Sequence, residues 1–491
     1  VDGSRRRYDC GVKLPGILFL ALGVSAQPYD IVIANGRVMD PESRLDAVRH
    51  IGIRGAKIAA VSETPLEGRT VIDAKGKVVA PGFIDLHAHG QTNEANEYQA
   101  HDGVTTALEL EVGVPAVGAF LKDREGKAML NYGATASHGA MRTLSMKKFA
   151  AETSARRDTL ERWRDLNQKG RYEPVTDSEE YTQLGALLER GLREGGLGIG
   201  MAHQYYPGAT REEIFRVFQM AERWKVPIYT HVRSMGVDAM QEVIANAAAT
   251  GVSLHIVHVN SMSGGQLELV LDIIESARKR GIDITTEAYP YTAASTFIDS
   301  TIFDDGWQQR LGISYGELQW QDTGERLTAE SFDRYRRQGG VVIMHFMKPE
   351  WIRRAMASPF VMVASDGMPY APGAHPRSAG TFSRVLGLYV REERVVSLMD
   401  ALAKMTILPA KRLEPIAPAM RNKGRVRVGA DADITVFDPN AVRDRATFEK
   451  GLAFSAGIEQ VLVNGVPVVR DGQTVKNTFP GVAVVGNFST R

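Results

Sequence analysis

The sequence predicts an α/β protein built as a (β/α)8 TIM-like barrel with a small β-sandwich domain formed from both chain ends. Three observations carry that reading. Short apolar runs alternate with amphipathic helical stretches through the middle of the chain, and short alternating strands bracket that region on both sides. The polar residues of the central runs gather within them and at their C-terminal ends, as a barrel mouth requires. At 491 residues the chain is too long for one small core and calls for roughly two domains, one of them large.

In chain order, residues 1–27 read as a signal peptide. Arg5, Arg6, Arg7 and Lys13 precede the apolar run Leu14 to Val24, and Val24-Ser25-Ala26 has the small residues of a cleavage site. The run is too short to span a bilayer, so no stable membrane span is expected. A periplasmic or secreted protein follows, or a cytoplasmic one if the leader is a misassigned start. The single cysteine, Cys10, lies in this leader, so the remaining chain has neither a disulfide nor a thiolate ligand to offer.

Residues 28–80 hold short strands with turns at Asn35-Gly36, Gly55 and Lys75-Gly76, and form the N-terminal part of the β-sandwich. Residues 413–491 repeat the texture in DADITVFDP, Asp431 to Pro439, and in the run from Ile458, and form its C-terminal part. The two ends are expected to complete one sheet, because domain termini usually lie close together; the alternative is two separate β domains. Residues 81–412 carry the barrel. PGFIDLHAHG, GVTTALELEV, GATASHGAM, GLGIGMA, PIYTHV, SLHIVHVNS, DITTEAYPY, GGVVIMHF and FVMVASDG make nine strand-like runs for an expected eight, so one is peripheral. Amphipathic stretches such as Thr210 to Trp224 and Gly265 to Arg280 lie between several of them. A doubly wound open sheet is the alternative architecture. From about 292 to 340 periodicity weakens around Trp307 and Trp320, which marks an insertion.

Composition narrows the partners. Lys plus Arg total 59 against 58 Asp plus Glu, a net charge of +1, so no global field draws in nucleic acid or an anionic membrane. No glycine-rich phosphate loop follows a strand, and no aromatic-basic interleaving suggests nucleic acid. The expected partner is a small molecule, and the sequence implies no oligomeric state.

The candidate chemistry begins at His87 and His89. Residues i and i+2 of a strand face the same side, so two imidazoles can converge on one metal ion. Glu109, Glu111, Thr230, His231, His255, His258 and Asp366 lie within other apolar runs or at their C-terminal ends, where a barrel gathers them on one face.

Together PGFIDLHAHG, DADITVFDP and the split β domain resemble the amidohydrolase superfamily. GVTTALELEVG, the EAYPYTA run from Glu287, the SDG at Ser365 to Gly367 and HPRSAGTFSRVLG from His375 resemble, more narrowly, the N-acyl-D-amino-acid deacylases (D-aminoacylases and N-acyl-D-glutamate deacylases). The resemblance implies a hydrolase with one or two zinc ions that cleaves the linear amide of an N-acyl-D-amino acid. Carried over residue by residue, it makes His87, His89, His231, His258 and Asp366 metal ligands, with Asp366 also the catalytic proton shuttle. His258 is preferred to His255, which is expected to turn elsewhere. Arg377 is the candidate for the substrate carboxylate, since a planar guanidinium matches it with two parallel hydrogen bonds. His375, counted with Arg377, Tyr205 and Tyr289 among the expected substrate-binding residues, orders that loop; Tyr205 (with Tyr206 adjacent) holds the carboxylate or polarises the carbonyl, and Tyr289 and Tyr291 shape the pocket.

The pattern departs from the family on the second barrel strand. Where the deacylases carry a cysteine that bridges the metals, and other members often a carboxylated lysine, this strand runs Ala107-Leu108-Glu109-Leu110-Glu111. Glu111, nearer the mouth, is the expected bridging ligand, with Glu109 the alternative. Asn260 stands where many relatives have a basic residue, so substrate preference is expected to differ. The 292–340 insertion is expected to close over the site. Two further readings stay open: another amidohydrolase reaction on a cyclic amide or dipeptide, and a metal-free scaffold of the same fold.

Overall fold

The computed structural model describes residues 1–6, 11, 28–149 and 160–488. Most of the leader read over 1–27, Cys10 included, lies outside the described residues.

The chain opens with five strands: β1 (Tyr29–Asp40), β2 (Leu45–Arg54), β3 (Lys57–Ser62), β4 (Gly68–Asp73) and β5 (Val78–Pro81). β1 changes neighbours part-way along. Its first half pairs with β4 and its second half with β5, and the switch falls at an irregularity between Ile33 and Gly36. Asn35 takes a positive φ there, and a Cβ on Gly36 would sit 2.4 Å from a Val79 methyl, so the corner depends on glycine.

The barrel follows. β6 (Phe83–Asp85), β7 (Val104–Val114), β8 (Asn131–Ser137), β9 (Ile199–Ala202), β10 (Ile228–His231), β11 (Leu254–Ile256) and β12 (Ile284–Ala288) pair in parallel in chain order. After β12 the chain leaves the barrel through β13 (Ala293–Phe297), β14 (Leu318–Trp320) and β15 (Val341–His345). It returns in β16 (Val361–Val363), which pairs with β12 as the eighth strand. The ring closes just beyond the strands. Ala88 bridges Gly367, and the His89 N–H donates to the Gly367 carbonyl at 2.8 Å. Asp85 clips the same seam, its Oδ1 accepting the N–H of His87 at 3.1 Å and of Ser365 at 3.0 Å. Burial pushes the Asp85 carboxyl up to about 6, against these hydrogen bonds.

The surplus strand-like run is GGVVIMHF. It forms β15, antiparallel to both β13 and β14 in a three-stranded sheet outside the barrel. The insertion is therefore a folded unit and extends past 340 to His345. Trp307 stacks on Phe332, and Trp320 lies flat on Tyr335 at 4.0 Å. Gly340 is required beside it, since a Cβ would meet the Trp320 ring at 2.3 Å.

The chain then rejoins the first sheet through β17 (Ile434–Phe437), β18 (Ile458–Val463), β19 (Val466–Arg470) and β20 (Gln473–Thr474). β17 pairs antiparallel with β5, so both chain ends share one nine-stranded sheet rather than two separate β domains. Asp433 of the DADITVFDP run docks this sheet to the barrel. It accepts from Lys423 Nζ at 2.7 Å, Asn131 Nδ2 at 3.0 Å and the Asn464 N–H at 2.7 Å. The chain leaves the sheet again near its end, where the Val484 N–H donates to Tyr132 O of barrel strand β8 at 2.7 Å. Among the described residues no helix is long and apolar enough to cross a membrane.

Candidate metal centre

Five barrel strands deliver six side chains to one point. His87 and His89 follow β6, Glu111 lies in β7, His231 ends β10, His258 follows β11 and Asp366 follows β16. All six are at least nine-tenths buried. Two of them hold backbone strain, His258 at φ +30° and Asp366 at φ +52°, a left-handed conformation that costs about 1–3 kcal/mol in a non-glycine residue and clusters at functional sites. β7 is also irregular here. Its register against β8 slips between Glu109 and Val114, with Gly113 at φ +63° pressed on the Thr135 carbonyl, and Glu111 sits within the slip.

Glu111 stands at the centre. Its Oε2 lies 3.1 Å from His87 Nε2 and 3.2 Å from His89 Nε2; its Oε1 lies 2.7 Å from His231 Nδ1 and 3.1 Å from His258 Nε2. Asp366 Oδ1 lies 3.4 Å from Nε2 of both His87 and His89, which are themselves 3.2 Å apart. The hydrogens of those imidazoles are committed elsewhere: His87 Nδ1 donates to Glu287 Oε1 at 2.6 Å and His89 Nδ1 to Glu109 Oε2 at 2.7 Å. In the neutral rings, Nε2 therefore carries a lone pair, and it faces only other lone pairs.

A divalent cation resolves this conflict. Ligand atoms about 3.4 Å apart are what a tetrahedral centre with bonds near 2.1 Å presents along its edges. His87, His89 and Asp366 form one candidate ligand group; His87, Glu111 and His258 form another. The electrostatics agree. Burial opposes charge on His87, yet the Asp366, Glu111 and Glu287 carboxylates outweigh it and push the imidazole well above its usual range. His89 is raised in the same way against burial, chiefly by Glu109. Burial likewise raises Asp366 and Glu111, but Arg377 beside Asp366 and the imidazoles around both hold each carboxyl well below the usual range. His231 is lowered by burial. The cluster thus carries an excess of negative charge, which a cation offsets.

The centre opens into a pocket of about 700 Å³, mouth included. Tyr205 lines it, its hydroxyl 2.9 Å from Thr296 Oγ1 and its ring edge toward His231. Tyr206 turns away, fully buried against Arg142. Tyr289 lines the pocket with its hydroxyl unpartnered, and its ring covers the Arg377 guanidinium at 4.6 Å. Arg377, the candidate for the substrate carboxylate, does not line the pocket: it is fully buried behind Tyr289, 3.0 Å from Asp366 Oδ1, and its Nε and Nη1 have no partner. Tyr291 bonds to Asp444 instead. His375, expected among the substrate-binding residues, does not line the pocket. Its Nε2 donates to the Ala293 carbonyl at 3.0 Å and its Nδ1 accepts the Arg377 N–H at 3.0 Å, so both nitrogens are spent on ordering the loop. The insertion contributes Ala294, Ser295, Thr296, Phe297, Ile302 and Leu311 to the wall.

Two contributors escape the sequence reading: Gln204 Oε1 accepts from His231 Nε2 at 2.7 Å, and Glu287 supports His87. Glu109, the alternative bridging ligand, supports His89 rather than competing with Glu111. His255 does turn away from the pocket; its Nε2 lies 3.1 Å from Glu287 Oε2. The signal for Glu287 was present, a lone acid in the apolar run ITTEA; Gln204 carried none.

Comparison with known proteins places this geometry. A family model described as the amidohydrolase family matches residues 70–469. The chain is 30% identical to an N-acyl-D-glutamate deacylase of Alcaligenes xylosoxydans xylosoxydans, over 90% of this chain and 94% of that one. Its structure is similar to the crystal structure of N-acyl-D-glutamate deacylase from Bordetella bronchiseptica, complexed with zinc and a phosphonate mimic of the tetrahedral intermediate. The TM-score is 0.77 at 25% identity, covering 94% of this chain and all of that one. A D-aminoacylase structure described through its binuclear metal centre is similar at TM-score 0.76 and 26% identity, over 93% of this chain and all of that one.

Proposed function

The chain belongs to the amidohydrolase family, and from that premise we propose that it is a zinc-dependent hydrolase of N-acyl-D-amino acids, releasing a carboxylate and a free D-amino acid. The observation that carries the proposal is the set of lone pairs from four imidazoles turned on Glu111, with the Asp366 carboxylate against two of them.

His87, His89, Asp366 and Glu111 Oε2 would hold one zinc, and Glu111 Oε1, His231 and His258 a second. Zinc bound there supplies a hydroxide nucleophile at neutral pH and a Lewis acid for the scissile carbonyl. Asp366, kept ionised by burial-defying contacts with Arg377 and His87, accepts the proton of the attacking water and returns it to the leaving amine nitrogen. The C–O bond forms, the C–N bond breaks, and the amine leaves neutral. Tyr289 Oη and Ser295 Oγ line the pocket unpartnered, with Arg377 Nε and Nη1 unpartnered behind the Tyr289 ring, and this excess of donors supports an α-carboxylate, which every N-acyl amino acid carries. Tyr205, beside His231, is suited to polarise the carbonyl.

A screen of N-acetyl-D- and L-amino acids, with hydantoins and dipeptides alongside, tests the reading together with zinc analysis. Free amine from the D series alone is the expected result; turnover restricted to cyclic amides or dipeptides rejects it. Glu111→Ala should lower both zinc content and activity. We also read the protein as exported, on the strength of the basic and apolar leader over 1–27. Mass measurement of the mature N-terminus checks this.

A further inference from the structure

The metal centre occupies the C-terminal end of the barrel, and the opposite end holds a second cavity that its chemistry does not use. We propose that this floor cavity is a binding site for a small carboxylate with an apolar body.

The cavity is about 1400 Å³, mouth included, and lies where three barrel strands begin. Ser253 precedes β11, Asp283 precedes β12 and Phe360 precedes β16; the helices Leu267–Lys279 and Ile407–Leu413 complete the wall. Its charge is unbalanced. Four cations line it, Arg278, Lys279, Lys411 and Arg412, against two acids, Glu275 and Asp283. Glu275 pairs with Lys279 at 2.8 Å and Asp283 with Arg412 at 2.9 Å. Among the described residues no carboxylate stands within ion-pair distance of Arg278 or Lys411. Arg278 lies over the Phe360 ring at 5.4 Å and donates to the Ile284 carbonyl. Burial lowers its guanidinium from the ordinary value, and the neighbouring Arg412 charge adds to that fall against Asp283.

Arg412 carries the specific signal. Its side chain is 3% exposed, and Nη1 is held by Ser253 Oγ at 3.1 Å and Asp283 Oδ1 at 2.9 Å. Nε and Nη2 are buried with no protein partner. These two nitrogens form the edge of a guanidinium that grips a carboxylate with two parallel hydrogen bonds. Elsewhere in the chain that edge meets an acid: Arg37 holds Asp46 at 2.6 and 2.8 Å, and Arg353 holds Glu393 at 2.7 and 2.8 Å. On Arg412 the fork is just as fixed and no acid of the protein meets it. The Tyr229 hydroxyl, buried and near enough to feel the Arg412 charge, is unpartnered as well. Buried charged donors left in this way are costly, so an anion that accepts from them is favoured.

The remaining wall sets the class of anion. Phe360, Met362, Leu408 and Pro415 are apolar, which suits a hydrocarbon body and offers a phosphate nothing to bond. A straight-chain or aromatic acid satisfies both halves of the wall.

The test titrates hexanoate into the full-length protein by calorimetry, with hexanol and inorganic phosphate alongside. Wild type should bind hexanoate about tenfold or more tighter than either comparator. Arg412→Met should weaken this binding about tenfold or more, and the double variant Arg278→Gln/Lys411→Gln about fivefold. The metal pocket also meets carboxylates, so only binding that weakens in these floor variants supports the proposal. Should Arg412→Met fail to fold by thermal melting, the double variant decides, since both of its positions are exposed. Hexanoate binding unchanged in the double variant overturns the site. Hexanol bound as tightly as hexanoate overturns the carboxylate, and phosphate bound as tightly overturns the apolar body.

Discussion

Two buried imidazole-carboxylate clusters sit within this barrel, and they behave differently. Around Glu111, four histidines and the Asp366 carboxylate meet as lone pairs against lone pairs. Around Glu213, on the helix Arg211–Trp224, the carboxylate is already paired with a fixed cation. Arg142 Nε donates to Glu213 Oε1 at 2.8 Å, its Nη2 donates to Oε2 at 3.2 Å, and its Nη1 donates to the Gly170 carbonyl. His138 Nε2 lies 3.1 Å from Glu213 Oε1. Burial works against the Glu213 charge, yet His138 and Arg142 hold its carboxyl down to about 2. Buried acids beside histidines therefore mark a metal site only when the cluster lacks its own fixed cation. Arg142 makes the second cluster self-contained; the first is incomplete without an ion.

The same amide-for-carboxylate change should separate them. Asp366→Asn is expected to lower kcat by about 10²–10⁴-fold, the usual worth of a proton shuttle. Comparable kcat in that variant would remove the distinction. Glu213→Gln should instead destabilise the fold by about 3–5 kcal/mol, because it strands a buried guanidinium, while zinc content and kcat of the folded fraction stay near wild type. Denaturant midpoints and metal analysis check both halves of that statement.

Acid titration sharpens the contrast. A carboxyl at about 2 in the fold, against 4.5 when unfolded, contributes stability that is present above pH 4.5 and is lost as pH falls toward 2. That loss amounts to about 3 kcal/mol. The decline in unfolding free energy between pH 5 and 2.5 should be smaller by most of this, about 2 kcal/mol, in Glu213→Gln. The smallest effect belongs to the pocket rim: Tyr205→Phe removes one neutral hydroxyl and should cost about 1 kcal/mol of transition-state binding, read as a drop of up to about tenfold in kcat/KM.

Much of this was legible because buried polarity is conspicuous in sequence. An HxH after an apolar run, and single histidines or acids within or at the ends of others, identified the residues that meet at Glu111. The misassigned barrel strand has an equally physical cause. GGVVIMHF is as apolar and β-branched as its neighbours, and composition does not distinguish a parallel barrel strand from an antiparallel one in an insertion. The insertion showed only as weakened periodicity, and its strands escaped because they are three to five residues long, too short to set a period. His375 was drawn into the pocket by adjacency to Arg377, but backbone hydrogen bonds that the sequence does not display face it away. Gln204 was invisible for the opposite reason: an amide beside a tyrosine is unremarkable until a histidine is found across from it.

The Asp85 clip has a consequence for how the protein matures. It joins residues 280 positions apart, and it holds the backbone of His87 against that of Ser365, next to Asp366. Bringing such distant segments together is the slow, entropically costly part of folding. A growing chain that has reached residue 360 already contains every histidine of the cluster, yet the seam that fixes their spacing does not exist. Asp366 therefore joins the four histidines only once the ring has closed across that seam.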